Sequence, residues 1–385
     1  MADDPDNIDP LTHARILDLS SAISTERSKS RINAEIPSLL SHYVLQEPAR
    51  RRGRVVTFYS YKGGVGRSRA LANVALLLAL RGSSVLCVDF DLEAPGLSSY
   101  FSGEAFKWAV PEPDQHIGLV DFFRAYRDNL FTRITKTSIQ WEQLVQTIEV
   151  TDRGVSFDFI GAGRQDRDYK QLISNFDWHS FYDHWDGGVL IERLKRGFVE
   201  KYNYVLVDSR TGITDISGLC SVHLPDILVA VFTPGPQSQA GLVDALQCIE
   251  ANRRELRPQE PLHILPLPCR VDRDVVREAF DNWFNKLLNS YFAEKVLALR
   301  WPWHPDEYFR RVAIEYFSRF VYDDTIESLV HHVDDEAGNA WKYGNLIRVI
   351  DAAGPIEFST LTMAHERSSA VTAWEAPTVL WETRK

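Results

Sequence analysis

The sequence predicts an α/β fold: a doubly wound, mostly parallel sheet flanked by helices, with a helical N-terminal arm and a C-terminal extension. Three observations carry this. Short runs of β-branched and aromatic residues alternate with longer helical segments from Val55 onward. The first run opens into a glycine-rich loop that leads straight into a helix. Two later runs end in aspartate, at the edge where open parallel sheets bind their ligands.

Residues 1–52 read as a helical arm and basic linker, with apolar positions at Leu17, Leu19 and Ile23, then Ile32, Ile36, Leu39 and Leu40. The arm ends in ARRRGR (49–54), a solvated linker on one reading and a partner-binding patch on another. VVTFYS (55–60) is a buried strand, and 68–81 is an Ala- and Leu-rich helix stopped by Gly82. SVLCVDFD (84–91) is a second buried strand, so the three form a βαβ unit. Further strands follow at 155–160, 204–209, 227–233 and 263–268. Helices are expected near 189–202, 237–254 and 272–291. Residues 101–150 and 295–350 read as insertions or peripheral helices rich in Trp and Tyr. The division into units is 1–52, a core over 53–300, an aromatic-rich helical extension over 301–354 and a tail over 355–385.

Bulk properties exclude several functions. The chain has 385 residues and a net charge of −10, which argues against broad binding to nucleic acid or anionic membrane. Its most basic-aromatic stretch, RWPWHPDEYFRR (300–311), reads as a packed aromatic corner or, less simply, a nucleic-acid surface. No segment is long and apolar enough to span a bilayer; the run 70–80 is too short and contains Asn73. No membrane partner is expected. Cys87, Cys220, Cys248 and Cys269 form no C-x-x-C pair, which predicts buried free thiols in a reducing cytoplasm. The histidines have no metal-ligand spacing.

The chemistry concentrates in YSYKGGVGRSRAL (59–71). Against the usual G-x-x-x-x-G-K-[ST] loop, Tyr61 stands for the first glycine and Arg67 for the lysine, while Lys62 sits at the front. Gly63, Gly64 and Gly66 let backbone amides approach phosphate oxygens, and the helix N-terminus adds its positive dipole end. A glycine turn with an incidental serine is the competing reading. Two further motifs, DFDLEAPGL (89–97) and VLVDSRTGITD (205–215), end strands that would converge on the same edge. Asp208 fits a carboxylate holding Mg²⁺, and one of Asp89 and Asp91 should face the phosphates.

KGGVGRS with VDFDLEAPGL and VDSRTGITD resembles the deviant-Walker-A P-loop ATPases of the ParA/MinD type, and within them the KGGVGR-motif variants. The resemblance covers roughly residues 53–300. It implies a nucleotide-sandwich homodimer in which Lys62 touches the partner's ATP. It implies nucleotide contacts from Gly63, Gly64, Val65, Gly66, Arg67, Ser68 and Arg69, with Arg270 at the base. It assigns Asp91 to orienting the attacking water. Mg²⁺ is to be held by Ser68 and Asp208, with Asp89 supporting, and residues 209–214 act as a γ-phosphate sensor. Arg210 in that sensor is either a phosphate or subunit clamp or a surface ion pair. The implied function is an ATP-hydrolysing switch, slow because of Arg67, that regulates or positions a partner protein. A nucleotide-holding scaffold without turnover and a bacterial-type tyrosine kinase are the alternatives; the last tyrosine is Tyr343, so the tail carries no tyrosine cluster.

Overall fold

The computed structural model describes residues 53–353 apart from 110–115, 132–139, 152, 166–168, 213–217, 273–290, 293–304 and 319–324. The N-terminal arm, the tail, most of the helix expected over 272–291 and the start of the basic-aromatic stretch lie outside the described residues.

The first unit is β1 (Arg54–Tyr59), α1 (Arg67–Leu80) and β2 (Val85–Asp89). There follow β3 (Phe106–Trp108), α2 (Leu119–Phe131), β4 (Gln146–Val150) and β5 (Val155–Ile160). Next come α3 (Tyr169–Ser174), α4 (Trp178–Asp183), α5 (Gly187–Lys201) and β6 (Tyr204–Asp208). The chain continues through β7 (Ile227–Phe232), α6 (Pro236–Leu256), β8 (His263–Pro268), α7 (Pro305–Val312) and α8 (Asn339–Ala352).

Among the described residues one sheet runs β3-β4-β5-β2-β6-β1-β7-β8. From β5 to β8 every pair is parallel; β3 and β4 add an antiparallel edge. The region 101–150 is thus not only insertions and helices. β3 has three residues and β4 five, too short for their alternation to stand out in the sequence.

The central strands are apolar throughout because helices cover both faces. β1 shows the division: Val56 and Phe58 enter the core that contains α1, whereas Val55 enters the core that contains α5. Helix α1 is buried over nearly its whole length, since α8 packs on the side the sheet leaves open. It stops where expected, at Gly82, whose φ of 82° suits the left-handed turn after the last carbonyls. Cys87, Cys220 and Cys269 are buried free thiols; Cys248 is free but exposed, on the outer face of α6, which corrects the expectation for that residue.

Where β1 and β7 begin, the core is ionic. Asp226 accepts a hydrogen bond from the Val55 amide at 2.8 Å and pairs with Lys195 at 3.0 Å. Arg257 pairs with Glu192 and, at 2.9 Å, with Glu260, while Arg253 donates to the Val222 carbonyl at 2.7 Å. His223 lies 2.6 Å from Glu192 through Nε2. A carboxylate only accepts, so Nε2 carries the proton of a neutral ring. Burial, then the charges of Lys195 and Arg253, pull this imidazole down to about 3 from its ordinary value.

A histidine that stays neutral when folded favours the native state above its unfolded pKa, and this contribution is lost as pH falls through that value toward the folded one. Denaturant unfolding at pH 7 and pH 5 should therefore show wild type losing about 2 kcal/mol more than His223→Gln. Equal losses would show that the ring takes up its proton as readily in the native protein as in the unfolded chain.

Candidate nucleotide-binding site

The loop predicted to hold phosphate joins β1 to α1. Gly64 and Gly66 have φ of 72° and 102°, a region that side chains resist, and Gly66 is the cap of α1. Val65, between them, is buried in the core and anchors the loop from below. Residues 63–69 line a cleft of about 370 Å³. Thus the helix N-terminus and the loop amides border a space suited to an anion.

Strand register brings the acids to the same place. β2 and β6 pair so that Asp89 stands opposite Asp208. β2 ends at Asp89, so Asp91 lies beyond the strand, and it is Asp91 that lines the cleft. Asp89 is turned inward. Its carboxylate accepts from the amides of Asp91 at 3.1 Å, Gly96 at 3.2 Å and Leu97 at 3.1 Å, which fixes the fold of the loop after β2. Burial and the neighbouring Asp208 raise its pKa well above the usual carboxylate range.

Asp208 is fully engaged. One oxygen accepts from Arg67 Nε at 2.5 Å and the other from Ser68 Oγ at 2.5 Å. Arg67 also reaches Asp91 through Nη2 at 2.9 Å, and its Nη1 is buried with no hydrogen-bond partner. Burial works against the charge on Arg67, but the two carboxylates more than reverse it and raise its pKa. Burial likewise pushes Asp208 up, opposed by Arg67 and Ser68.

Lys62 is not among the cleft-lining residues. Its Nζ is exposed and donates to Gln237 Oε1 at 2.9 Å, near the start of α6. Beside it the Tyr61 ring lies on Gly241, where any Cβ would come within 2.2 Å of the ring. Arg210 forms an ion pair with Glu93, joining the loops after β6 and β2. Thr211 lines the cleft; residues 213–214 of the expected sensor lie outside the described residues.

Of the far wall only Arg270 was expected. Arg270, in a left-handed conformation (φ 57°), lines it together with Ile314, Tyr316, Phe317, Glu327 and Tyr343. Residues 314–316 form a single parallel bridge just beyond the end of β8: the Val271 amide donates to the Ile314 carbonyl at 3.0 Å and the Tyr316 amide to the Val271 carbonyl at 2.9 Å. The turn Glu327–Leu329 is tied to α1 by Asn73, whose Oδ1 accepts from the Ser328 amide at 2.9 Å and hydroxyl at 2.8 Å. Asn73 was the one further signal, a polar residue in the otherwise apolar run 70–80 of α1.

Ser68 and Asp208 are hard oxygen donors of the kind Mg²⁺ takes in pairs beside substrate phosphates. The donor set therefore fits the ion, although both groups are bonded to each other and Asp208 to Arg67. Among the described residues no group of three or more His, Cys, Asp or Glu could hold a metal by itself, and no helix is long and apolar enough to cross a membrane.

A parallel sheet flanked by helices, with a glycine-rich phosphate loop between its central strand and a helix, is the P-loop NTPase fold. More narrowly, the chain has the fold of the ParA/MinD-type P-loop ATPases. It is similar to apo McdA from Cyanothece (15% identity, 78% of this chain and 99% of that one, TM-score 0.52). It is similar to the cell division ATPase MinD from Pyrococcus furiosus (16%, 78% and 100%, TM-score 0.50). An ATP complex of a variant Cyanothece McdA also matches (14%, 80% and 99%, TM-score 0.52). No protein-family model and no curated protein matches the chain.

Replacing Asn73 by Ala leaves the buried Ser328 groups without their acceptor. The expected loss is about 1–3 kcal/mol of stability in denaturant unfolding. Unchanged stability would mean that the turn does not depend on α1.

Proposed function

We propose that the protein is an ATP-binding and ATP-hydrolysing switch whose two states differ in self-association and in binding to a partner protein. The observation that carries this reading is the convergence on one cleft of the phosphate loop, Asp91 and, beneath them, Ser68 and Asp208. The triphosphate would lie along the amides of residues 63–68. Arg69 lines the same cleft and adds positive charge beside the phosphates. Mg²⁺, held by Ser68 and Asp208, would supply charge neutralisation at the terminal phosphates. Asp91 sits where a carboxylate could orient water.

The base would lie toward Arg270 and Tyr316. Tyr316 is 46% exposed yet lines the cleft, so a flat ring is offered to a ligand there. Residues 301–354 are then best regarded as part of the nucleotide unit, an extension of the 53–300 core. The arm 1–52 and the tail 355–385 are left to recruit partners. Lys62 stands at the rim, clear of its own cleft, which supports its assignment to a second subunit's nucleotide.

Two measurements test this. Light scattering with a non-hydrolysable ATP analogue and Mg²⁺ should show a doubling of mass, abolished by Lys62→Ala while nucleotide affinity in the monomer persists. A wild-type mass that does not change would remove the sandwich dimer. Tyr316→Ala should weaken nucleotide binding by about 1–3 kcal/mol, the worth of one stacked base, measured by calorimetry. Undiminished affinity would place the base elsewhere.

One observation favours a second reading, a nucleotide-holding scaffold with negligible turnover. Arg67, in the position of the usual catalytic lysine, is spent on Asp208 and Asp91. Tight ATP binding without phosphate release would select it. The kinase alternative loses ground because Tyr343, the last tyrosine, is buried.

A further inference from the structure

The unusual arginine of the loop is joined to two acids, Asp91, which lines the cleft, and Asp208, which lies buried beside it. Its Nε meets Asp208 at 2.5 Å and its Nη2 meets Asp91 at 2.9 Å. These carboxylates come from two different chain segments, one ending β6 and one following β2. A flat fork with several N–H groups can hold both at once; a lysine ammonium, a single point of charge, cannot do so with fixed geometry. The Ser68 hydroxyl occupies the remaining Asp208 oxygen. The groups that elsewhere would await a divalent cation are therefore already bonded from within the chain, Asp208 by a buried ion pair and a hydroxyl.

Resting on the nucleotide-site reading above, we propose that Arg67 is the resident counter-ion of the metal subsite, so that the cleft takes up a nucleoside triphosphate with little help from a divalent cation. In most phosphate loops the acid that ends the neighbouring strand repels the triphosphate until a metal is placed between them. Here that repulsion is cancelled in advance, and the cation that cancels it lines the cleft. A metal ion would have to displace the guanidinium from Asp208 before binding there, and the same displacement would free Asp91. Metal is then a requirement of the step that follows binding.

The test is ATP affinity of the full chain, by calorimetry, in Mg²⁺ and in EDTA. Wild type should bind with affinities within about threefold of each other in the two conditions. For Arg67→Lys, whatever its affinity in Mg²⁺, the ratio between the two conditions should widen to about tenfold or more. A tenfold or larger loss for wild type in EDTA would overturn the proposal and leave the nucleotide site intact. So would an Arg67→Lys protein as indifferent to metal as wild type. If Arg67→Lys does not fold, the wild-type comparison alone decides. An absence of ATP binding in both conditions would remove the nucleotide reading itself, and this inference with it.

Discussion

The bond between Arg67 and Asp208 is the constraint around which the cleft is arranged. It joins the first residue of α1 to the last residue of β6, across the crest of the sheet. Through Nη2 it reaches the loop after β2, and that loop is held from below by Asp89 and its three amide contacts. The Leu92 carbonyl in the same loop also accepts from the Tyr169 hydroxyl at 2.8 Å, so α3 is part of the support. Four chain segments thus share one charge pair. Its burial makes the pair costly to break one-sidedly, because a carboxylate left alone at that depth has little water to turn to.

The parts of the site that could be read from the sequence are the local ones. A loop with three glycines between a strand and a helix declares itself within a dozen residues. Strands ending in aspartate are equally short-range. The order of strands in a sheet is not, and neither is the register that sets Asp89 against Asp208. For that reason the inward turn of Asp89 and the double hold on Arg67 were invisible, although both residues had been singled out. The far wall was hidden for the same reason. Ile314, Tyr316 and Tyr343 lie more than two hundred residues from the loop they face, and only the isolated polarity of Asn73 hinted that something polar docks on α1. The antiparallel edge of β3 and β4 escaped because two brief strands carry too little alternation.

The two ends of the sheet handle charge in contrasting ways. Near the starts of β1 and β7, Lys195, Asp226, Arg253, Arg257, Glu192 and Glu260 are matched in sign, and His223 stays neutral among them. That arrangement serves the fold. At the other end Asp208 and Asp91 share one guanidinium, and the carboxyl of Asp89 is held by three backbone amides.

Helix α6 connects these two ends. Its first turn holds Gln237, on which Lys62 rests, and Gly241 receives the Tyr61 ring with no clearance. Its last turns carry Arg253, which is bonded to the Val222 carbonyl, and the next residue but three is Arg257. With 21 residues at the usual helical rise it is a rod about 30 Å long. One straight element therefore seats the loop lysine and its neighbouring ring at one end and, at the other, clasps a carbonyl of the segment that leads into β7.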